Sequence, residues 1–81
     1  MNFRDVDALI KGSEIKKAVW SFIKKGDPIK MSDIKRKTGY QDSNLSVAMK
    51  FLVDNGIAER FVFNSREVRG TYILSPNMER Y

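Results

Sequence analysis

Apolar residues recur at helical spacing in two long stretches of the chain. In SEIKKAVWSFIKKG, residues 13–26, one stripe follows the pattern i, i+3, i+4, i+7, i+8 and comprises Ile15, Ala18, Val19, Phe22 and Ile23. Ser13 is a good N-cap for this helix, and Gly26 is typical of its end. Trp20 lies beside the stripe. We expect it to cover a neighbouring element, with an exposed contact to a partner as the alternative.

A turn and a short helix separate this helix from the second long stretch. Asp27-Pro28 breaks the first helix, Ile29–Met31 is an extended stub, and Ser32 is predicted to cap a short helix that ends at Gly39. A helix over 42–55 follows, capped by Asp42 or Ser43 and stopped at Asn55-Gly56. Its predicted buried stripe consists of Leu45, Ala48, Met49, Leu52 and Val53.

After Gly56 the pattern becomes extended. Residues 57–63 and 68–75 are rich in β-branched and aromatic side chains, and Asn64–Glu67 is predicted to be the turn between them, which makes a β-hairpin. The two-residue repeat puts Ile57, Phe61 and Phe63 on one side of the first strand. Gly70 indicates a bulge or a close backbone approach in the second strand.

Near the N-terminus, Phe3, Val6, Leu9 and Ile10 have the spacing of a short leading helix or a packing arm. The pattern as a whole predicts one α+β domain over 1–81. It comprises a leading arm (1–12), a three-helix core (13–56), a hairpin (57–75) and a tail (76–81).

Composition excludes several classes of function. The 81 residues include no cysteine and no histidine, so disulfides, thiolate or imidazole metal sites and histidine-based catalysis are ruled out. The five glycines are scattered and form no phosphate-binding loop. No apolar run approaches the roughly 18 residues of a membrane span. We therefore expect an intracellular, cytoplasmic binding protein, not an enzyme, with no metal, no cofactor and no membrane contact.

The net charge of +5 is concentrated in one third of the chain. Residues 13–39 hold eight basic and three acidic side chains, a net of +5, whereas the segments on either side are balanced. A one-sided positive field favours a polyanionic partner. The alternative is that these lysines only solvate the outer faces of helices.

Residues 28–60 resemble the core of winged helix-turn-helix transcriptional regulators of the arsenical-resistance and multiple-antibiotic-resistance repressor types. The residues that carry the resemblance are Pro28-Ile29, Ser32-Asp33-Ile34, Gly39-Tyr40, Leu45, Met49, Leu52 and Gly56-Ile57-Ala58-Glu59-Arg60. The resemblance implies a double-stranded DNA-binding protein with its recognition helix, 42–55, in the major groove and its hairpin wing near the minor groove.

The resemblance also implies which residues contact DNA. Base contacts would come from Gln41, Ser43, Asn44, Ser46 and Val47. Contacts to phosphates or in the minor groove would come from Lys35, Arg36, Lys37, Tyr40, Lys50, Arg66 and Arg69. Short polar side chains allow a helix to approach base edges closely, and amides can pair with adenine. For several of these residues, capping or solvation remains the alternative.

Winged helices also serve as protein–protein interaction modules, and this is the second functional hypothesis. Its support is the weakly basic recognition helix and a set of aromatic residues suited to interfaces: Trp20, Phe61, Phe63, Tyr72 and Tyr81. A Z-DNA or RNA-binding winged helix is less favoured, because the hairpin has no proline. We also predict a homodimer formed through the N-terminal arm, the first helix of the core or the C-terminal tail.

Overall fold

The computed structural model describes residues 1–81 as four α-helices and a three-stranded antiparallel sheet. The elements are α1 (Phe3–Leu9), α2 (Glu14–Ile23), β1 (Ile29–Lys30), α3 (Met31–Thr38), α4 (Asp42–Asp54), β2 (Ala58–Phe63) and β3 (Arg66–Leu74). The predicted α+β class and the order of helices before the hairpin are confirmed. None of the helices has the length and hydropathy needed to cross a bilayer.

The short strand β1 joins the helices to the hairpin. It pairs antiparallel with β3, through Ile29 opposite Tyr72 and Lys30 opposite Thr71, and the strand order is β1-β3-β2. The first two residues of the predicted extended stub, Ile29–Met31, are therefore the third strand of the sheet, and only Met31 departs from the prediction. The strand leads straight into α3, whose first residue is Met31. The hairpin is thus fixed to the helical core by main-chain hydrogen bonds as well as by packing.

The turn between β2 and β3 is shorter than predicted. Asn64 and Ser65 both have positive φ, 53° and 63°, and Phe63 pairs with Arg66 directly across them. A two-residue turn with positive φ at both positions matches the right-handed twist of the flanking strands. The predicted turn over Asn64–Glu67 is therefore wrong at its second half, because Arg66 and Glu67 already belong to β3.

A bulge in β3 confirms the prediction made from Gly70. The register changes from Arg60 opposite Tyr72 to Val62 opposite Glu67, so β3 has extra residues facing Phe61. Gly70 has a φ of 75°, and a Cβ atom added there would meet no atom within 4 Å. Backbone conformation, not a close approach, therefore favours glycine at this position.

The buried face of β2 is set by Ala58, which is 1% exposed. Ile57 is also buried, but it still belongs to the turn after α4, since its amide donates to the carbonyl of Leu52. Side chains alternate along a strand, so Phe61 and Phe63 lie on the face opposite Ala58. Phe61 and Phe63 therefore lie outside the core, although the buried Ile57 precedes them at two-residue spacing. Phe63 is exposed.

The core forms where the predicted stripes of α2 and α4 meet. Val19 and Ile23 of α2 are fully buried, as are Met49 and Leu52 of α4. Ile34 of α3 closes one side and is also fully buried. The polar positions between these residues face outward, so the helical stripes predicted from the sequence are confirmed.

Two serines predicted as helix caps have different roles. The Ser13 side chain accepts a hydrogen bond from the amide of Lys16 and caps α2, as predicted. Ser32 does not cap α3. That helix begins two residues earlier than expected, after Lys30, and no side chain caps it, because β1 fixes the chain just before the first turn.

Substitution of Ser13 by alanine should therefore lower the free energy of unfolding by about 1 kcal/mol, the usual value of an N-cap. The matched change Ser32→Ala should shift it by less than about 0.5 kcal/mol. Urea denaturation followed by circular dichroism measures both. Equal losses for the two variants would contradict the assignment of the caps.

The N-terminal arm and the C-terminal tail pack onto the core and onto each other. Val6 is fully buried, and the Trp20 ring meets the Phe3 ring edge-on at 5.0 Å between centroids. The indole of Trp20 donates to Asp7 at 3.0 Å, which confirms that it covers a neighbouring element and excludes the exposed alternative. The Phe3 amide donates to the carbonyl of Glu79. Apolar side chains proposed for a dimer contact thus contribute to the monomer core.

Candidate nucleic-acid interface

Helix α4 presents a polar front to solvent. Successive residues of a helix are about 100° apart, so Ser43, Val47 and Lys50 fall on the side opposite the buried stripe. All three are exposed, and Val47 is 66% exposed. Gln41, Asn44 and Ser46 are exposed as well. The predicted base-contact residues therefore lie together around the first turns of one helix.

The buried side of α4 fixes this front in position. Leu45, Ala48, Met49 and Leu52 are each no more than 2% exposed, and they pack on α2 and on the turn leading into β2. A side chain buried to this extent has few alternative rotamers in a closely packed core. The polar front is consequently held on a rigid element and not on a loop.

The start of α4 is not capped as the sequence predicts. Gln41 occupies the N-cap position, and no side chain accepts a hydrogen bond from the amides of the first turn. Asp42 is the first helical residue, and one of its oxygens accepts a hydrogen bond from the Lys35 ammonium at 2.9 Å. The prediction that Asp42 or Ser43 caps this helix is wrong, because α3 supplies a cation that binds the carboxylate instead.

Two grooves flank the polar front. The groove towards the sheet has a volume of about 260 Å³ and is lined by Met31, Ser46, Met49, Lys50, Val53, Asp54, Arg60 and Tyr72. The groove towards the start of α2 is smaller, about 160 Å³, and is lined by Ser13, Ile15, Lys16, Asn44, Val47 and Ala48. Ser46 and Lys50 therefore face the sheet, whereas Asn44 and Val47 face α2.

Three of the predicted DNA-contacting cations form local ion pairs. Lys35 pairs with Asp42 as described, and the other two pairs are Arg36 with Asp33 at 2.9 Å and Lys50 with Asp54 at 2.7 Å. The Arg36 and Lys50 side chains remain 72% and 75% exposed. Exposed pairs of this kind contribute about 0–1 kcal/mol, so a phosphate can compete for the cation.

Two further residues from the predicted set are held near the protein body. The Lys37 ammonium lies 5.8 Å from the centroid of the Phe22 ring, and the Lys25 ammonium lies 5.6 Å from it, so both extend over α2. Tyr40 is half-buried and packs against the core. Lys37 and Tyr40 adjoin the start of α4 in the chain, and of the two only Tyr40 is held by the core, since Lys37 is exposed and forms no ion pair.

The tip of the β2–β3 hairpin, residues 62–67, projects beyond the protein body. All six residues are exposed. Arg66 and the nearby Arg69 form no ion pair. The sequence marks these arginines as candidate contacts and Phe63 as a candidate surface aromatic, and Phe63 is 62% exposed. Val62, which is 56% exposed, is not predicted at the surface. The Asn64-Ser65 pair is the signal that could have indicated the short turn.

The structure brings together part of the predicted site and leaves part of it separate. The Lys35–Asp42 pair joins the end of α3 to the start of α4, and both grooves are lined by residues of α4, whereas no residue of the hairpin tip lines either groove. No group of three or more acidic side chains that could hold a metal ion is present. No protein-family model, no curated protein sequence and no solved structure matches this chain.

Proposed function

We propose that this chain is a winged helix-turn-helix protein that binds double-stranded DNA and regulates transcription. Helix α4 is the recognition helix and enters the major groove with its first turns. The α3 helix crosses the phosphate backbone beside it, and the β2–β3 hairpin is the wing, which reaches the adjacent minor groove. The order of elements and the strand order β1-β3-β2 are compatible with this arrangement.

The observation that carries this proposal is the exposed polar front of α4 on a rigidly packed helix. Ser43 and Ser46 are short, so base edges can come close to the helix axis, and Asn44 can pair bidentately with adenine. Val47 offers an apolar contact of the kind made with the thymine methyl group. The uncapped amides at the start of α4 are suited to a phosphate oxygen.

Charge supports the same orientation. The end of α3 carries Lys35, Arg36 and Lys37 in succession, next to the start of α4. A helix that crosses the backbone positions the recognition helix through contacts of this sequence-independent kind. No arginine lies on α4, so the base contacts would favour A·T pairs over guanine.

Binding to a duplex should weaken steeply with salt. If the three free cations Lys37, Arg66 and Arg69 each neutralise one phosphate, the slope of log K against log salt should be about −3. If Lys35, Arg36 and Lys50 also exchange their carboxylates for phosphates, it should approach about −5. Fluorescence anisotropy with a labelled 25-bp random duplex measures this slope. The absence of binding at low salt would refute the proposal.

A second candidate is a protein–protein interaction module. It is favoured by the balanced charge of the α4 front, where Lys50 and Asp54 pair, and by the exposed Val47 and Phe63. Interface cores are depleted in unpaired charge and enriched in aromatic residues.

Reversal of two wing charges distinguishes the candidates. The double change Arg66→Glu and Arg69→Glu should reduce duplex affinity by about 100-fold, since it replaces two attractive charges by two repulsive ones. Both arginines are exposed and unpaired, so the fold should be unaffected. Anisotropy titration at low salt is the measurement, and Arg4→Glu with Lys11→Glu, on the arm, controls for the change in net charge. Equal losses for the wing variant and the arm control would mean that net charge alone attracts the duplex, and would favour the second candidate.

A further inference from the structure

The tip of the β2–β3 hairpin exposes an apolar side chain on each of its two faces. Val62 and Phe63 are consecutive in β2, so their side chains point to opposite faces of the ribbon. Both are more than half exposed. Neither face of the tip therefore packs on the body of the protein.

The two faces differ in charge. Residues directly opposite each other in an antiparallel pair share a face, so Phe63 lies with Arg66, and Val62 lies with Glu67. The Glu67 carboxylate forms an ion pair with the Arg60 guanidinium at 3.2 Å, so the Val62 face has no net charge there. Arg66 has no acidic partner. At the tip, the Phe63 face consequently combines an aromatic ring with a free cation and has no carboxylate.

This combination matches the chemistry of a nucleic-acid groove. A ring can stack on an exposed base-pair face, and a guanidinium next to it can bind the flanking phosphates or the negative potential of a narrow A·T minor groove. We propose that Phe63 is a wedge that enters the minor groove and inserts between two base pairs, while Arg66 holds the adjacent backbone. This inference rests on the proposed function and adds a deformation of the DNA to it.

The dimensions of the tip are consistent with a wedge. Three residue pairs project from the body, which corresponds to roughly 10 Å at the rise of a β-strand. The minor groove is about 7.5 Å deep, so the tip can reach its floor, but at about 6 Å wide it is too narrow for two strands and their side chains. Partial unstacking by an apolar side chain bends the duplex towards the major groove and opens the minor groove. The wedge would therefore create the width that the ribbon needs.

The geometry of the hairpin also defines where the Phe63 ring lies. The two-residue turn at Asn64-Ser65 keeps the register to the last pair, and the bulge at Gly70 fixes a bend in the ribbon just before the tip. A longer, flexible loop would not hold the Phe63 ring at a defined distance from the recognition helix.

The test uses the full chain and a 25-bp A·T-rich duplex with a central TA step, the step that unstacks most easily. A 2-aminopurine beside that step reports unstacking by an increase in fluorescence, and dyes at the two ends report bending by energy transfer. Phe63→Ala is compared with Val62→Ala, its exposed neighbour on the opposite face. Stacking on an aromatic ring accounts for about 5- to 150-fold in affinity, so we expect about a tenfold loss for Phe63→Ala.

Support requires that the wild-type chain and Val62→Ala both brighten 2-aminopurine and bend the duplex, and that Phe63→Ala does neither. If all three bind the duplex equally without unstacking it, the wedge is wrong and the proposed function stands. If none binds at low salt, the proposed function fails and the wedge with it. Binding to phosphatidylserine vesicles that is lost in Phe63→Ala, without unstacking of the duplex, would also overturn the wedge and assign the tip to a lipid surface.

Discussion

Replacement of Val47 by glutamate should reduce duplex affinity by about 100-fold or more while the fold remains intact. Val47 is 66% exposed at the centre of the polar front of α4, so a carboxylate there would face the base edges and the phosphates on either side of the major groove. Like charges brought together in a contact cost several kcal/mol, and each 1.4 kcal/mol is a factor of ten. Glutamate is a better helix former than valine, so no loss of helix is expected.

Two controls isolate the effect of charge at this position. Val47→Gln has nearly the shape of Val47→Glu without the charge and should lose no more than about tenfold, the value of an apolar contact. Ala8→Glu on α1 makes the same change in net charge at an exposed site outside the candidate interface and should bind as the wild type does. Anisotropy titrations at one salt concentration measure all three. Equal affinities for Val47→Glu and Ala8→Glu would remove α4 from the interface.

Replacement of Leu52 by alanine should lower the free energy of unfolding by about 3 kcal/mol. The Leu52 side chain is fully buried where α4 packs on α2 and on Ile57, so the change leaves a cavity as well as losing transfer energy. In a domain of this size the melting temperature should fall by about 12–24 °C. Thermal unfolding followed by circular dichroism is the measurement.

The same chemical change at an exposed leucine gives the matched control. Leu9 is 46% exposed at the end of α1, so Leu9→Ala should cost less than about 1 kcal/mol. A total stability of about 5–15 kcal/mol is usual for a small domain, so Leu52→Ala should still fold at low temperature. At that temperature it should retain duplex binding, because its side chain does not reach the polar front. Equal melting temperatures for the two variants would contradict the assignment of the core.

In the hairpin, the local sequence pattern predicts the strands and the bulge but not how the strands pair. The alternation of polar and apolar residues after Gly56 identifies two strands, and Gly70 identifies the bulge. The position of the turn depends on the pairing of Phe63 with Arg66, which is a contact between residues and not a property of either strand. The buried face of β2 is set by the end of the turn after α4. That turn ends at Ile57, so the strand begins with Ala58 facing the core.

In the candidate site, too, some features follow from the sequence and others only from the tertiary structure. The sequence places short polar residues at the start of α4, and their exposure follows directly from the position of the apolar stripe on the other side of the helix. The pairing of Lys35 with Asp42 does not follow from the sequence. These residues are seven apart and on different helices, and only the angle between α3 and α4 brings them within 2.9 Å.

By itself, the sequence determined the helices, the hairpin and the outward side of α4, because helical and strand periodicities separate buried from exposed positions within each element. Only the tertiary structure decided which cations are paired, that β1 joins the sheet, that the arm packs on the tail, and that the hairpin tip stands free. These features depend on distances between elements. Such distances are set by the packing of the whole core, and a local pattern does not contain them.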